Sequence, residues 1–392
     1  MWSTILDITF LFIQSIIGFN LIFPFVVYLI YTLKNKNVKV SKAGNESDYA
    51  IIVTAYEQVD ALPGVINSIR KINYHNYLVY IVADKCNIED LSFDDPNVIL
   101  LKPEETLASN TRSHFYAIKH FRRNHDRLTI IDSDNLLHPE YLNELNYYFD
   151  LEFEAVQGIR EAKNLNTKYA CLDAARDIYY HFYDGKILFT LGSSATLAGS
   201  GMAFTTGLYK ECLENLDITG AGFDKVLQFE IVKRNKKIAF ASNAIVFDEK
   251  TSQTAQLVNQ RSRWINTWFK YSNFGFTLIF ESLKNFSWNQ FLFGLVLLRP
   301  PLFIFLILSV IFMLINIVFN IYASLFWFIG ILVFVMSFFI PILNQRTDKR
   351  ILNSLIGIPK FMFFQVISLI NARSANERSV ATQHYQNQED IE

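Results

Sequence analysis

The sequence predicts an α/β domain flanked by transmembrane helices, and two observations lead to this fold class. First, 51% of the 392 residues are hydrophobic and only 19% are charged, whereas soluble domains carry about 25% charged residues. Second, short β-branched runs alternate with amphipathic stretches between residues 49 and 246, a pattern typical of a mostly parallel sheet covered by helices. Part of the chain therefore belongs in lipid, and its middle forms a folded domain.

The charge and cysteine content exclude several classes of protein. The net charge is -1, from 36 Lys+Arg and 37 Asp+Glu, so a strongly cationic surface for nucleic acid is not expected. Cys86, Cys171 and Cys212 have no C-x-x-C spacing, which argues against a disulfide framework or a zinc site. We interpret them as reduced thiols of a cytoplasmic compartment.

Residues 5–33 are predicted to form the first transmembrane helix. The stretch from Ile8 to Tyr31 is almost continuously apolar and long enough to cross a hydrocarbon core of about 30 Å. It is too long for the core of a signal peptide, and no small-residue cleavage site follows it. Only Asp7 precedes it, whereas four lysines follow it, at positions 34, 36, 39 and 42. The positive-inside rule then places the following domain in the cytoplasm.

A second apolar region, residues 291–343, is predicted to contain two transmembrane helices. Its part from Leu302 to Leu343 is about twice the length of a single span, and the stretch Asn316 to Tyr322 is expected to form the turn between them. Arg346, Lys349 and Arg350 mark the return to the cytoplasm. Residues 351–371 are interrupted by Pro359 and Lys360, so we expect an interfacial helix there and not a fourth span.

Acidic residues follow the predicted strands of the central domain. Three runs are predicted to be strands: Tyr49 to Thr54, Leu78 to Ala83 and Leu128 to Ile131. The stretch from Leu62 to Ile72 has the spacing of a helix. The strands lead into Thr54-Ala55-Tyr56-Glu57, Asp84 and Asp132-Ser133-Asp134, respectively. Ligands of parallel sheets bind beyond the carboxyl ends of the strands, so these residues are candidates for a site.

The Asp132-Ser133-Asp134 triplet has two interpretations. Two carboxylates at alternate positions can share a divalent cation, whose coordination the oxygens of a nucleoside diphosphate would complete. Alternatively, one of them caps a helix that starts near Pro139. The position directly after an Ile-Ile strand favours the cation.

Other polar residues are ambiguous by themselves. Arg112 is either a solvated helix charge or a phosphate contact, and Gly199-Ser200-Gly201 is either a turn or a close approach of the backbone to a ligand. A basic and aromatic segment begins at Gln260-Arg261-Ser262-Arg263-Trp264 and continues through Trp268 and Tyr271 at helical spacing. It is typical of a helix in the membrane interface, with Trp268 as an anchor.

Taken in order, these motifs resemble those of the membrane-embedded family 2 glycosyltransferases. This group includes cellulose, hyaluronan and poly-N-acetylglucosamine synthases and ceramide glucosyltransferases. The resemblance spans about residues 48–290 and implies a GT-A, Rossmann-like domain over 48–256, followed by interfacial helices over 257–290 that carry a Q-x-x-R-W motif. It also implies an integral protein of the bacterial inner membrane with its catalytic domain in the cytoplasm.

The resemblance assigns a role to each matching residue. It implies nucleotide-sugar binding by Thr54, Ala55, Tyr56, Glu57, Asp84, Arg112 and Ser133, binding of Mg²⁺ or Mn²⁺ by Asp132 and Asp134, and contact with the diphosphate or acceptor by Gly199, Ser200, Gly201, Gln260, Arg263 and Trp264. Asp224 matches the catalytic base. The preceding residue departs from the family pattern, because it is Phe223 where the family has Glu.

The polar tail, residues 372–392, has the composition of a disordered terminus. It nevertheless contains Thr382 and His384, at a point where cellulose synthases carry an F-x-V-T-x-K gating loop. Of that loop only the Thr is retained, so the resemblance is loose.

The expected function is inverting transfer of a sugar from a UDP-sugar to a growing polysaccharide, which gives a β-linked product from an α-linked donor. Transfer of a single sugar to a membrane lipid, such as a polyprenyl phosphate or a sphingolipid, is the first alternative. A non-catalytic membrane subunit is the second. The small number of spans favours lipid transfer, or else a partner subunit or dimer that completes an export path.

Overall fold

The computed structural model describes residues 2–34, 46–344 and 347–375. Over these ranges the strands are β1 (Tyr49–Tyr56), β2 (Tyr77–Asp84), β3 (Val98–Leu101), β4 (Arg127–Asp132), β5 (Leu136–Leu137), β6 (Ala155–Ala162), β7 (Met202–Thr205) and β8 (Ile238–Asp248). The α-helices are α1 (Trp2–Lys34), α2 (Leu62–Arg70), α3 (Asn110–Lys119), α4 (Tyr141–Asp150), α5 (Lys168–Tyr180), α6 (Leu188–Thr190), α7 (Thr206–Leu213), α8 (Phe223–Lys233), α9 (Thr254–Tyr271), α10 (Phe274–Asn285), α11 (Trp288–Leu298), α12 (Leu302–Phe319), α13 (Ile321–Asn344), α14 (Lys349–Ser354) and α15 (Ile358–Ile370). A π-helix spans His181–Ile187, and 3₁₀ turns span Leu355–Gly357 and Asn371–Ser374.

The strands form one sheet in the order β3-β2-β1-β4-β7-β6-β8-β5. The first four in this order run parallel, β7 is antiparallel to both β4 and β6, and β8 is parallel to β6. The carboxyl ends of β1, β2, β4, β6 and β8 therefore meet at one edge of the sheet. This arrangement confirms the predicted α/β class, and the three predicted strands lie within β1, β2 and β4.

Alternate side chains of β1 show how the sheet is covered on both faces. Tyr49, Ile51 and Val53 pack into a cluster with residues of α2 and α4, whereas Ala50 and Ile52 pack into a second cluster with residues of α3, α7 and α8. All five are fully buried. A strand that is apolar on both faces requires helices on both sides, which is why the run reads as continuously hydrophobic in the sequence.

Helix α1 packs against α12 and α13 and makes a three-helix bundle with them. Inside this bundle Gln14 Oε1 accepts hydrogen bonds from Asn316 Nδ2 (2.8 Å) and Trp327 Nε1 (2.9 Å). Such partners matter for a polar side chain among apolar helices, because a buried polar group without a hydrogen bond is costly. The polar interruptions of the apolar segments therefore tie the helices together.

Four of the described helical segments are long and apolar enough to cross a membrane: Asp7–Lys34, Leu302–Phe319, Ile321–Asn344 and Lys349–Arg373. Only Asn320 separates α12 from α13, so the turn lies within the predicted stretch, although Asn316 itself belongs to α12. The fourth segment meets the length and composition of a span but is broken into α14, a 3₁₀ turn and α15. Its interfacial position stays a prediction.

The long apolar helices share hydrophobic cores with the α/β domain. Ile265 of α9 packs with Phe303 of α12 and Met362 of α15, and Cys171 of α5 packs with Ile342 of α13. All three cysteines are free and buried. The domain is therefore fixed to the helical bundle through α5 and α9.

The predicted orientation can be tested by cysteine labelling. The native thiols are buried, so a membrane-impermeant maleimide applied to intact cells should label an introduced Asn320→Cys and leave Lys270→Cys unlabelled until the cells are opened. Both positions are exposed. Labelling of Lys270→Cys from outside would contradict the cytoplasmic orientation of the domain.

Candidate active site

The acidic residues that follow the strands lie together at the carboxyl edge of the sheet. In the strand register Thr54 is the neighbour of Asp132, and Tyr56 is the neighbour of Asp84. These residues line one end of a cavity of about 1200 Å³, with Ala55, Ser133 and Asp134 also on its wall. The structure therefore brings these predicted residues together, because parallel strands present their carboxyl ends on the same side, and their role in binding stays a prediction.

Asp84 organises the loop that enters the cavity before α3. Its side chain is 2% exposed, and its two carboxylate oxygens accept hydrogen bonds from the backbone N–H groups of Leu107 (2.9 Å) and Ala108 (2.7 Å). An ionised carboxylate can accept about four hydrogen bonds, so these two contacts do not exhaust it. Asp84 both holds the loop and retains acceptor capacity towards a ligand.

Two residues that were predicted to bind the nucleotide-sugar donor, Glu57 and Arg112, do not line the cavity. Glu57 pairs with Lys85 Nζ at 2.7 Å, and the guanidinium of Arg112 pairs with both carboxylate oxygens of Asp217, at 2.8 and 2.6 Å. Both pairs are partly exposed to solvent. The structure thus favours the reading of Arg112 as a surface charge, and its donor role stays a prediction, as does that of Glu57.

The Asp132-Ser133-Asp134 motif is supported from below by Ser200. Ser200 Oγ accepts from the backbone N–H of Asp132 (3.1 Å) and donates to Asn135 Oδ1 (2.6 Å), while Asn135 Nδ2 donates to Asp134 Oδ1 (3.1 Å). The capping interpretation of the motif is wrong, because α4 begins at Tyr141 with Glu140 as its N-cap residue. Both aspartates line the cavity.

The donor set fits a divalent cation that is shared with a substrate. Among the described residues, no group of three or more His, Cys, Asp or Glu side chains could hold a metal ion. Asp132 and Asp134 would supply two carboxylates, which suits Mg²⁺ or Mn²⁺ because such ions in transferase sites are held by one or two carboxylates together with substrate phosphates.

Of the three residues Gly199, Ser200 and Gly201, only the first lines the cavity. Gly199 lines the cavity with φ = +88°, and a Cβ at this position would meet no atom within 4 Å. Ser200 and Gly201 lie behind the wall, outside the lining residues. A ligand can therefore approach the backbone closely at Gly199, whereas Ser200 acts through the aspartate motif.

Asp224 lies in the first turn of α8, on the cavity wall. Lys225 Nζ pairs with Asp224 Oδ2 at 3.0 Å and donates to the carbonyl of Leu197 at 3.1 Å. The departure at Phe223 has a structural reason, because its ring is 5% exposed and packs edge-on against His114 at 5.1 Å. Phe223 thus joins the hydrophobic core to the cavity wall.

Gly222 brings the start of α8 against α9. It caps α8 with φ = +104°, and a Cβ there would lie 2.6 Å from the ring of Tyr271 and 2.7 Å from Thr267 Cγ2. Only glycine combines this conformation with so close a contact. The position of Asp224 therefore depends directly on helix α9.

The Q-x-x-R-W segment forms the opposite wall. Gln260 Oε1 accepts from Thr251 Oγ1 at 3.2 Å, and Trp264 lies between the guanidinium groups of Arg261 and Arg176, at 4.0 and 4.2 Å from its ring centre. Arg263 also lines the cavity, and burial lowers the pKa of its guanidinium. The expected interfacial anchor Trp268 instead lies on the cavity wall, with its Nε1 buried and without a hydrogen-bond partner among the described residues.

A buried group of ion pairs lies between these walls, and the sequence reasoning missed it. We call it the throat cluster; it consists of Arg160, Asp173, Arg176, Asp177, Asp184, Asp248, Lys250, Arg261 and Arg299, all of which line the cavity and form ion pairs with one another. The spacing of Asp173, Arg176 and Asp177 places them on one face of α5. This spacing in the sequence could have indicated part of the cluster.

The pairs of the throat cluster connect several elements. Arg261 pairs with Asp173, and Arg299 pairs with Asp184. Lys250 Nζ lies 2.5 Å from Asp177 and 2.9 Å from Asp248. Burial alone would lower the pKa of Lys250, but the two carboxylates outweigh it and hold that pKa above its usual value. Burial lowers the pKa of the adjacent His181 to about 4, so this imidazole is neutral at pH 7.

The cavity continues beyond the throat cluster into the helical bundle. Its far end is lined by side chains of α12, α13 and α15, which we call the apolar groove; they are Leu302, Phe303, Leu306, Ile307, Val310, Ile311, Ile331, Phe334, Val335, Phe338, Phe339, Ile358, Phe361 and Met362. Gln365 is a polar exception on α15. One continuous space therefore joins the acidic strand ends to an apolar groove between membrane helices.

The fold and the cavity together define a nucleotide-sugar transferase of the GT-A type. Residues 47–267 match the family model described as glycosyltransferase like family 2. This match covers more than half of the chain, so the protein belongs to that family. The match confirms the resemblance at the level of the family. It does not confirm membership of the narrower group that includes the cellulose and hyaluronan synthases.

Solved structures with the same fold include a mannosyltransferase, PcManGT from Pyrobaculum calidifontis, in complex with GDP-Man and Mn²⁺. The alignment covers 93% of this chain and 98% of the PcManGT chain, with 12% sequence identity and a TM-score of 0.51. The alignment with TarS from S. aureus, residues 1–349, covers 84% of this chain and 90% of the TarS chain at 13% identity. Its TM-score of 0.40 is too low to support the fold assignment. No curated protein sequence matches this chain.

The aspartate motif gives a prediction about metal binding. Asp132→Ala and Asp134→Ala should each weaken Mn²⁺-dependent binding of UDP at least tenfold, because each removes one of two carboxylates that can hold the ion. Calorimetric titration with UDP, in Mn²⁺ and in EDTA, measures this. Asp150→Ala, an exposed carboxylate paired with Arg127 outside the cavity, is the matched control. Metal-dependent affinity that survives in both motif variants would exclude the motif as the metal site.

Proposed function

We propose that this protein is an inverting glycosyltransferase that transfers a single sugar from a UDP-sugar to a membrane lipid. The supporting observation is the continuity of the cavity, which joins the acidic strand ends to the apolar groove. The UDP donor rests on the family resemblance. We also propose that the catalytic domain lies on the cytoplasmic side of a bacterial inner membrane, where nucleotide sugars are available.

The lining of the groove favours a lipid over a polysaccharide as the acceptor. From Leu302 to Ile311 the wall contributed by α12 is about 13 Å long at a rise of 1.5 Å per residue, and its side chains are aliphatic or aromatic. The hydroxyl groups of a sugar chain would lose their hydrogen bonds to water in such a groove, at a cost of about 1 to 3 kcal/mol each. A lipid chain has no such groups. Extension of a polysaccharide, with a partner subunit or dimer for export, remains the alternative.

The chemistry assigns a role to each wall of the cavity. The acceptor oxygen attacks the anomeric carbon, the bond between this carbon and the diphosphate oxygen breaks, and the nucleoside diphosphate leaves with the bonding electrons. Asp224 accepts the proton of the acceptor hydroxyl on the opposite face from the leaving group. A single displacement of this kind inverts the anomeric centre.

The leaving diphosphate requires positive charge beside it. A divalent ion held by Asp132 and Asp134 would neutralise the charge that develops there. Arg263 reaches the same cavity from α9 and would supply a fixed positive charge. Asp84 keeps the loop at Leu107 and Ala108 in place beside the nucleotide end.

The role of Asp224 leads to a kinetic prediction. Asp224→Asn should lower the turnover number at least a hundredfold and change UDP affinity less than threefold, because a general base acts in the transition state and contributes little to donor binding. Single-turnover kinetics and UDP titration of the same preparation measure both quantities. A loss of UDP affinity as large as the loss of turnover would place Asp224 in the donor site.

The apolar groove gives a second prediction, with a matched control on the same helix. Leu306→Trp, which fills the groove, should reduce lipid glycosylation at least tenfold and leave hydrolysis of the UDP-sugar unchanged. Leu314→Trp should have no effect, because Leu314 is 54% exposed and faces away from the groove. Mass spectrometry of the products from membranes supplied with several UDP-sugars measures the outcome. A polymeric product instead of a monoglycosylated lipid would contradict the proposed function.

A further inference from the structure

Two loops of the cavity wall are joined by side chains at the start of α3. The first, which we call the donor loop, comprises residues 102–109 and is held by the carboxylate of Asp84. The second, which we call the base loop, comprises residues 214–222 and leads directly into α8, whose first turn carries Asp224. Both loops contribute residues to the cavity wall. Contacts between them therefore connect the nucleotide end of the site to the proposed base.

Two buried hydroxyl groups hold the middle of the base loop. Ser109 Oγ donates to the carbonyl oxygen of Ile218 at 2.6 Å, and Thr111 Oγ1 donates to the same oxygen at 3.2 Å. Both hydroxyl-bearing residues are buried. Among the described residues, no hydrogen bond between backbone groups involves residues 217–221. The position of this segment therefore depends on side chains from α3 and its N-cap.

An ion pair makes a second connection between the two loops. The guanidinium of Arg112 donates to both carboxylate oxygens of Asp217, and its Nη1 donates to the carbonyl oxygen of Leu107 at 3.3 Å. The backbone N–H of the same Leu107 donates to Asp84. The contacts therefore form a continuous path from Asp84 to the base loop.

The effect of the Arg112–Asp217 pair is expected in turnover and not in folding. The side chains of Arg112 and Asp217 are 45% and 62% exposed, and an exposed ion pair contributes only about 0 to 1 kcal/mol to stability. A catalytic group is far more sensitive to its position, because a displacement of about 1 Å can lower the rate about a hundredfold. A loop that leads into the helix of the base can therefore affect the reaction without affecting the fold.

From these contacts we infer that Arg112 and Asp217 are positioning residues for the base. They hold the base loop against the donor loop, so that Asp224 is in place when a nucleotide sugar occupies the donor end. The inference rests on the proposed function, in which Asp224 is the base. It also replaces the role that the family resemblance gives to Arg112, because the guanidinium binds Asp217 and the backbone of Leu107 and does not line the cavity.

The test separates positioning from donor binding. Arg112→Ala and Asp217→Ala should each lower turnover about fivefold or more and change UDP affinity less than about twofold, because a displaced base affects the transition state and not the bound nucleotide. Turnover is measured as radiolabelled glycolipid formed by membranes that contain the full chain, supplied in turn with UDP-glucose, UDP-galactose and UDP-N-acetylglucosamine. UDP affinity is measured by calorimetric titration. The surface pair of Arg70 and Asp95 lies outside the cavity, so Arg70→Ala is the matched control and should leave turnover unchanged.

Charge reversal adds a readout that a direct donor contact would not give. The double variant Arg112→Asp with Asp217→Arg restores an ion pair of opposite polarity, so its turnover should return to within about twofold of that of the unsubstituted chain. Loss of UDP affinity in Arg112→Ala but not in Asp217→Ala, without recovery in the reversed pair, would overturn the inference and return Arg112 to the donor site.

Combination with Asp224→Asn shows whether the pair acts through the base. In that background Arg112→Ala should cause no further loss of turnover, because the group that it positions is already absent. A further loss of about fivefold would overturn the inference. Full turnover in Arg112→Ala beside an inactive Asp224→Asn would also overturn it and leave the proposed function intact. Full turnover in Asp224→Asn, or no glycolipid from the unsubstituted chain, would overturn both.

Discussion

The pairing of buried charges is the constraint on which the rest of this structure depends. A charge removed from water is tolerated only beside a partner, and removal of one partner from such a pair costs about 3 to 5 kcal/mol. Asp173 and Asp177 of α5 bind Arg261 of α9 and Lys250 after β8, respectively. These contacts fix the helices that carry the cavity wall to the sheet that carries the aspartate motif. The cavity keeps its shape because none of these elements can move without separating a pair.

The same constraint couples the glycosyltransferase domain to the long apolar helices. Asp184 of the π-helix pairs with Arg299, which directly precedes the two prolines that separate α11 from α12. Proline cannot continue the preceding helix, so the chain turns here and the cation remains beside the cavity. The groove between α12, α13 and α15 consequently opens onto the throat cluster, and an acceptor held by its apolar part would present its polar end to the site.

Helix α9 connects the two halves of the proposed chemistry. Its Tyr271 and Thr267 leave room only for glycine at the start of α8, and its Trp264 is held between Arg176 and Arg261. The proposed base and the proposed acceptor wall are thus positioned by one helix. Phe223 stands where the family pattern has Glu; its ring packs against His114 and also lines the cavity.

The sequence by itself determined the features that depend on local patterns. The period of apolar residues defined the strands β1, β2 and β4 and the membrane helices, and the rule that parallel strands end at one edge placed Asp84, Asp132 and Asp134 together. Tertiary structure decided what depends on contacts between distant segments. The pairing of Arg112 with Asp217, the support of the motif by Ser200 and the throat cluster join residues up to 115 positions apart. Spacing along the chain places Asp173, Arg176 and Asp177 on one face of α5 but does not identify their distant partners, because each charge finds such a partner only when the sheet and the helices are packed.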